Sequence, residues 1–237
     1  MSYEKFAYYY DSLMDPQFYD DYLVFIKKHT DHVEEILELG CGTSELAIRL
    51  SKAGYRIFAT DLSNDMIEVS KQKAMYENVD LMLQKVDMTD FSTSYQLDLI
   101  LCLCDSLNYI INEDDIIKTF KNVFMSLKND GYFIFDVNSL YKMNVILDDY
   151  IEQEEDEEFS FKWSVKNINE GEVIHDVYIL DKLENELVEE THHQKTYAVS
   201  QYKKWLNSVG FTNIELYSDF KEYKEECERI IFVCRKD

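Results

Sequence analysis

Proline and glycine are scarce: one proline and six glycines in 237 residues. That excludes collagen-like and low-complexity organisation, and it makes each glycine a marker of a turn. The five cysteines, Cys41, Cys102, Cys104, Cys227 and Cys234, are odd in number and never spaced CxxC. Neither a disulfide framework nor a zinc site is expected. No apolar run approaches the roughly 18 residues of a membrane span. The opening MSYEKFAYYYD lacks the apolar core of a signal peptide. Positive charge is the largest deficit: 24 Lys and Arg stand against 47 Asp and Glu, a net charge of −23. Such a surface disfavours nucleic acid and anionic membranes and suits small neutral or cationic molecules. The expectation is a cytoplasmic protein without a metal, built as one large domain or a domain with an insertion.

What is present alternates. Residues 3–28 read as helical, with an apolar stripe of Phe18, Tyr22, Phe25 and Ile26 after Pro16. EEILEL (34–39) is a strand ending at Gly40. SELAIRLSKA (44–53) is a helix stopped by Gly54, and YRIFAT (55–60) is a strand ending at Asp61. Ser63 is placed to cap a helix over 64–77. VDLMLQ (79–84), LDLILCLC (97–104) and YFIFDV (132–137) supply three more strands, with a helix capped near Asn112 and Asp115 before the last. Five strands separated by helices or long crossovers predict a doubly wound, mostly parallel α/β sheet over residues 34–137. The pattern then changes. EQEEDEE (152–158) reads as a solvated charge run. The stretches 159–167, 172–180 and 187–199 alternate with period two around Gly171. Residues 150–198 are therefore expected to be a small antiparallel β insertion. The core, 1–149 and 199–237, resumes with a helix over 200–210 and strands at 213–218 and 229–236.

The first strand-to-helix turn, ILELGCGTSEL (36–46), carries the chemistry. Glycines there let a ligand approach the backbone at a helix N-terminus. The dinucleotide fingerprint GxGxxG fails, because Glu45 occupies its third glycine. Glu38, two residues before Gly40, would repel a pyrophosphate and welcome an ammonium or sulfonium. Both acids argue against a nicotinamide oxidoreductase. Asp61 ends the second strand, where an acid accepts from ribose hydroxyls. Asp87 follows the third, placed for an adenine amino group, with the Met88 backbone reading the ring edge.

ELGCGTSE, ATDLSNDMI, VDM and LILCLCDSLNYI resemble the successive motifs of class I S-adenosylmethionine-dependent methyltransferases. YEKFAYYYD, CDSLNYI, FDVNSLYKM and THHQKTY resemble a bacterial branch related to small-molecule N-methyltransferases. The resemblance implies seven strands in the order 3-2-1-4-5-7-6, the seventh antiparallel, with the insertion over the substrate mouth. It also implies S-adenosyl-L-methionine as cofactor. Glu38, Gly40, Cys41 and Gly42 would line its methionine part and Asp61 its ribose. Leu62 and Met66 would flank the adenine, Asp87 and Met88 hold its edge, and Leu103 and Cys104 offer backbone contacts. Ser44 stands where the family often has a third glycine; a negative φ there would close the turn, and a positive one would bring mild strain to the loop. On the acceptor side, Asp105, Asn108 and Tyr109 follow the fourth strand. His192 and His193 lie in the insertion on opposite faces of a strand, and Tyr10 is placed to close over the cofactor. The expected function is methyl transfer to a small amine or hydroxyl. The alternatives are a non-catalytic cofactor-binding module and a methyltransferase acting on a protein.

Overall fold

The computed structural model describes residues 7, 9–11, 14–155 and 157–237. Its elements are α1 (Pro16–His29), β1 (Glu35–Leu39), α2 (Glu45–Lys52), β2 (Arg56–Asp61), α3 (Asn64–Tyr76) and β3 (Met82–Lys85). There follow β4 (Leu97–Cys102), α4 (Glu113–Ser126) and β5 (Leu127–Asn138). Next come β6 (Ile151–Glu155), β7 (Phe159–Asn169), β8 (Glu172–Asp181) and β9 (Glu186–Lys195). The chain ends with α5 (Val199–Val209), β10 (Asn213–Ser218), β11 (Lys221–Glu222) and β12 (Arg229–Arg235).

One sheet runs β3-β2-β1-β4-β5-β12-β10-β11. The strands β1 to β5 pair in parallel, and β12 is antiparallel to both β5 and β10. The seven expected strands thus lie in the expected order, with the two-residue β11 extending the β10 edge. Connections leave β1 toward β2 on one side, and β4 lies on its other side. This reversal opens a crevice at the C-terminal ends of β1 and β4.

Alternation along the strands fills both faces. Leu37, Ile100, Cys102, Phe133 and Phe135 pack with Phe120, Tyr202, Trp205 and Phe232 under α4 and α5. Ile36, Leu99, Leu101 and Ile134 pack with Tyr22, Phe25, Leu46 and Leu50 under α1 and α2. The rings of Phe135 and Phe232 stack at 4.5 Å across β5 and β12. Local signals set the helix ends. Asp15, Ser63 and Asn112 accept backbone N–H groups at the starts of α1, α3 and α4. Ala7, Tyr9 and Tyr10 are helical as expected, whereas the rest of 3–13 except Asp11 lies outside the described residues.

Residues 151–195 form a second, antiparallel sheet in the order β6-β7-β8-β9. It has four strands because the acidic run, read from sequence as solvated chain, contributes β6. An edge strand needs only one partner, here β7, and its glutamates remain in water, where they deter pairing with other chains. The third predicted strand ends at Lys195 rather than 199. Polar side chains join this sheet to the core. Buried Asn108 accepts from the Asn138 N–H at 2.8 Å and donates to the Lys195 carbonyl at 2.8 Å. Thr196 Oγ1 donates to the Asn138 carbonyl at 2.6 Å. Asn108, a substrate-side candidate from sequence, is therefore spent on joining the two sheets. Asn108→Ala strips partners from one buried and one partly buried backbone group. It should lower stability by about 2–4 kcal/mol and raise amide exchange in β9; urea unfolding with hydrogen exchange measures both.

Candidate functional site

The crevice holds a cavity of about 900 Å³, lined from β1, β2, β3 and β4 ends, from Tyr10, and from β9. Its floor is the turn after β1. Gly40 and Gly42 have φ of 69° and 53°. A Cβ on Gly40 would lie 2.7 Å from Ser106 Cβ and Oγ, because the turns after β1 and β4 touch there. Ser106 Oγ donates to the Gly40 carbonyl at 3.0 Å. Ser44 has φ 64°, the second of the two alternatives, which carries strain. Its buried hydroxyl donates to Ser70 Oγ at 2.8 Å, and Ser70 donates to the Gly42 carbonyl at 3.0 Å. These bonds secure the left-handed turn that glycine would adopt freely.

Asp61 organises the next segment. Its Oδ2 accepts from the Gly42 N–H at 2.9 Å and its Oδ1 from the Ser63 N–H at 2.8 Å. Burial raises its pKa, opposed by these backbone donors. Glu38 is nearly fully buried, and its Oε2 has no hydrogen-bond partner among the described residues. Burial, reinforced by the nearby Asp61 charge, pushes its carboxyl up to about 8. Cys41 is buried beside it, and burial pushes its thiol up. Asp87 is exposed at the rim, where Oδ1 accepts from both the N–H and the hydroxyl of Thr89. The Met88 sulfur lies 3.9 Å from Cys102 Sγ, under the floor. Leu62 is 61% exposed on the lip, and Met66 packs against the insertion's cluster of Phe161, Val177, Ile179 and Val188.

The far wall follows β4. Leu103 is buried, and Cys104 and Asp105 take successive left-handed conformations, φ 55° and 53°. The Asp105 N–H donates to Asp136 Oδ2 at 2.9 Å. Its carboxylate is already held: Oδ1 accepts from Arg229 at 3.0 Å and Oδ2 from Gln194 at 2.8 Å. Burial opposes ionisation, but Arg229, Lys142 and Gln194 together keep the Asp105 carboxyl below its ordinary range. A carboxylate so engaged is a poor proton acceptor. Arg229 is buried and also pairs with the fully buried Asp136. Tyr109 is half exposed, and its ring meets the His192 ring edge-on at 5.8 Å. Both histidines border the cavity, but their environments differ. His192 faces His175 across the β8–β9 ladder, and burial lowers its pKa against the pull of Asp105. His193 Nε2 is bound to Glu172 Oε1 at 2.7 Å on the other face.

The N-terminal segment closes one side. Thr43 Oγ1 and Lys73 Nζ both donate to Asp11, each at 2.5 Å, and Tyr9 donates to Asp181 Oδ2 at 3.0 Å. These anchors set Tyr10 against the cavity.

The methyltransferase-domain family matches residues 36–131. A protein of Geobacillus sp. (strain WCH70) named as a methyltransferase is 37% identical over 247 residues, covering 100% of both chains. The chain belongs to the class I S-adenosylmethionine-dependent methyltransferases. The crystal structure of a methyltransferase from Clostridium acetobutylicum ATCC 824 superposes with a TM-score of 0.88 at 27% identity, covering 99% of this chain and 98% of that one. A glycine/sarcosine N-methyltransferase of Aphanothece halophytica is 26% identical over 225 residues, covering 90% of this chain and 80% of its own.

The cofactor of this methyltransferase is S-adenosyl-L-methionine. The residues present fit it: an orphaned, buried carboxylate beside a glycine turn lacks the cation that a sulfonium amino acid carries. Sequence reasoning missed Arg229, Asp136 and Gln194, which fix the far wall. A signal was available, since Asp136 interrupts an otherwise apolar strand, FIFDV, and a buried acid demands a buried cation.

Two outcomes follow for the cofactor side. Asp61→Asn should weaken S-adenosylhomocysteine binding by about 1.5–3 kcal/mol, roughly 10- to 100-fold, in calorimetric titration. Glu38 sets a pH dependence. Its carboxyl titrates near 8 in the folded chain against the usual 4.5. The folded, ligand-free protein therefore keeps a proton there that the unfolded chain has lost. Stability from this group is complete below about 4.5 and falls as pH rises toward 8. Urea titrations across that window should show the decline in the wild type and a flatter profile in Glu38→Gln.

Proposed function

We propose that this methyltransferase acts on a small-molecule acceptor, an amine or a hydroxyl, held between the turn after β4 and the inner face of β9. The observation that carries the reading is the His192–Tyr109 contact, which brings the insertion over the same cavity that Glu38 and the glycine turn floor. In this reading Glu38, Gly40, Cys41 and Gly42 hold the methionine part of the cofactor and Asp61 its ribose. Leu62, Met66, Asp87 and Met88 hold the adenine. Leu103 and Cys104 contribute backbone, and Tyr10 covers the opening. The name of the Aphanothece halophytica relative, a glycine/sarcosine N-methyltransferase, favours nitrogen as the methylated atom. The net charge of −23 supports a partner other than nucleic acid, and five free thiols suit the reducing cytoplasm.

When bound, the cofactor supplies a methyl group already activated on a sulfonium, so catalysis asks chiefly for alignment and exclusion of water. Tyr109 and His192 orient the acceptor. Burial disfavours the imidazolium of His192, so a neutral ring is ready to take the acceptor's proton. Asp105 acts by position, its fixed charge biasing that proton toward His192. Incubation with methyl-labelled cofactor and a panel of amines, phenols and carboxylates tests the reading. With an acceptor found, His192→Ala should lower kcat by about 10²–10⁴-fold while S-adenosylhomocysteine affinity stays unchanged. Wild-type turnover in that variant would remove the histidine from the reaction.

A further inference from the structure

Thr191, His192 and His193 are consecutive on β9, and all three line the cavity. Successive strand side chains point to opposite faces, so the side chains of one face do not account for this. Those of Thr191 and His193 are engaged with β8 on the outer face. Thr191 Oγ1 donates to Asp176 Oδ1 at 2.8 Å, and His193 Nε2 bonds Glu172 Oε1 at 2.7 Å. What these two residues turn to the cavity is the backbone edge of the strand.

That edge is unpaired. β9 is the last strand of its sheet, with β8 as its one neighbour. In an antiparallel ladder, residues that exchange backbone bonds with the partner alternate with residues whose N–H and C=O point away from it. The Thr196 N–H donates to the Gly171 carbonyl at 2.7 Å. The register then runs without a shift from Lys195 opposite Glu172 to Glu186 opposite Asp181. Gln194, His192 and Glu190 therefore bond β8, whereas Lys195, His193 and Thr191 point away. Lys195 shows the direction, since its carbonyl accepts from Asn108 of the core. The backbone N–H and C=O groups of Thr191 and His193 bond no group among the described residues. Bare edges are ordinarily blunted by charge, proline or a bulge. β6, at the opposite edge of this sheet, carries glutamates, but Thr191–Gln194 has no proline, lysine, carboxylate or bulge. Each of the two residues offers a donor and an acceptor side by side, the complement of the N–H and C=O of one amino-acid unit. Tyr109, Ile110 and Ile111 on the same lining supply apolar surface for a flat group.

We propose that the small-molecule acceptor carries a peptide-type amide, an –NH–CHR–CO– unit, and that the free edge of β9 at Thr191 and His193 binds it by backbone pairing. This rests on the methyl-transfer reading for the identity of the cavity, and it adds a recognition element in the acceptor and the groups that hold it.

The test separates binding from turnover. Wild-type protein saturated with S-adenosylhomocysteine is titrated with N-acetylglycine methylamide and with the ester analogue in which oxygen replaces the glycine N–H. Binding is followed by amide chemical shifts and hydrogen exchange. The amide should shift and protect the Thr191 and His193 N–H groups, and the ester should bind about tenfold more weakly or worse. His193→Pro removes one edge donor that the ladder does not use, a substitution edge strands tolerate. It should lower amide affinity by about tenfold, whereas His193→Ala, which keeps the N–H, should not. Circular dichroism and S-adenosylhomocysteine affinity should be unchanged in both. Three results would overturn the proposal: no amide binding, the ester bound as tightly as the amide, or equal amide affinity in the folded Pro and Ala variants. The first two need no variant. Methyl transfer to an acceptor without an amide, by a protein that does not bind the amide probe, would overturn it while leaving small-molecule methyl transfer standing. Amide binding at the β9 edge by a protein that transfers no methyl group would support it and count against the methyl-transfer reading instead.

Discussion

A single guanidinium, that of Arg229, ties together the parts of the chain that meet beneath the cavity. It pairs with Asp136 from β5 and with Asp105 from the turn after β4, and it lies 4.8 Å over the Phe18 ring of α1. The Arg229 backbone N–H donates to Asp219 Oδ1 at 2.9 Å, at the turn between β10 and β11. A buried ion pair gives little net stability against apolar packing, but removing one partner typically costs about 3–5 kcal/mol because the other is stranded. What this arrangement provides is geometry. Asp136 also takes the Asp105 N–H, which holds two non-glycine residues in left-handed conformations where β4 meets the cavity. From Asp105 the chain of bonds continues through Gln194 to Asn138 and β9. The wall after β4 and the inserted sheet are thereby positioned as one unit.

The second organising fact is the distribution of charge. Arg229 and Lys142, the cations behind the far wall, face carboxylates of the protein, while Glu38 and Glu190 each have a buried oxygen without a donor among the described residues. Taking a carboxylate out of water without a partner is tolerated only with a raised pKa or with a ligand cation. Both acids have raised pKa values for this reason. One lies on the floor beside the glycine turn and the other on the inner face of the insertion. A cationic cofactor would neutralise the first, which makes its binding and charge compensation the same event.

The parallel core was legible because its signals are local. Gly54 after α2, Ser63 before α3 and the apolar run of β4 each state a boundary. The residues proposed for the cofactor were legible for the same reason: Glu38, the glycine turn and Asp61 lie within a few residues of strand ends. Other features depend on pairing at a distance. β6 is acidic along its length, so nothing in its own pattern distinguishes an edge strand from solvated chain. Asp105 reads as a free carboxylate until Arg229, far along the chain, is brought against it. Ser44 shows φ 64° where a glycine would give warning, because its compensating partner Ser70 sits in the next helix.

The pairing of Glu38 with a ligand ammonium is tested most directly by the protons exchanged on binding. Calorimetric titration of S-adenosylhomocysteine at pH 6.5, in buffers of different ionisation enthalpy, measures that number. A carboxyl that titrates near 8 when free and ionises against a bound ammonium should release about one proton in the wild type and none in Glu38→Gln. Equal proton exchange in the two proteins, or net uptake in the wild type, would contradict it.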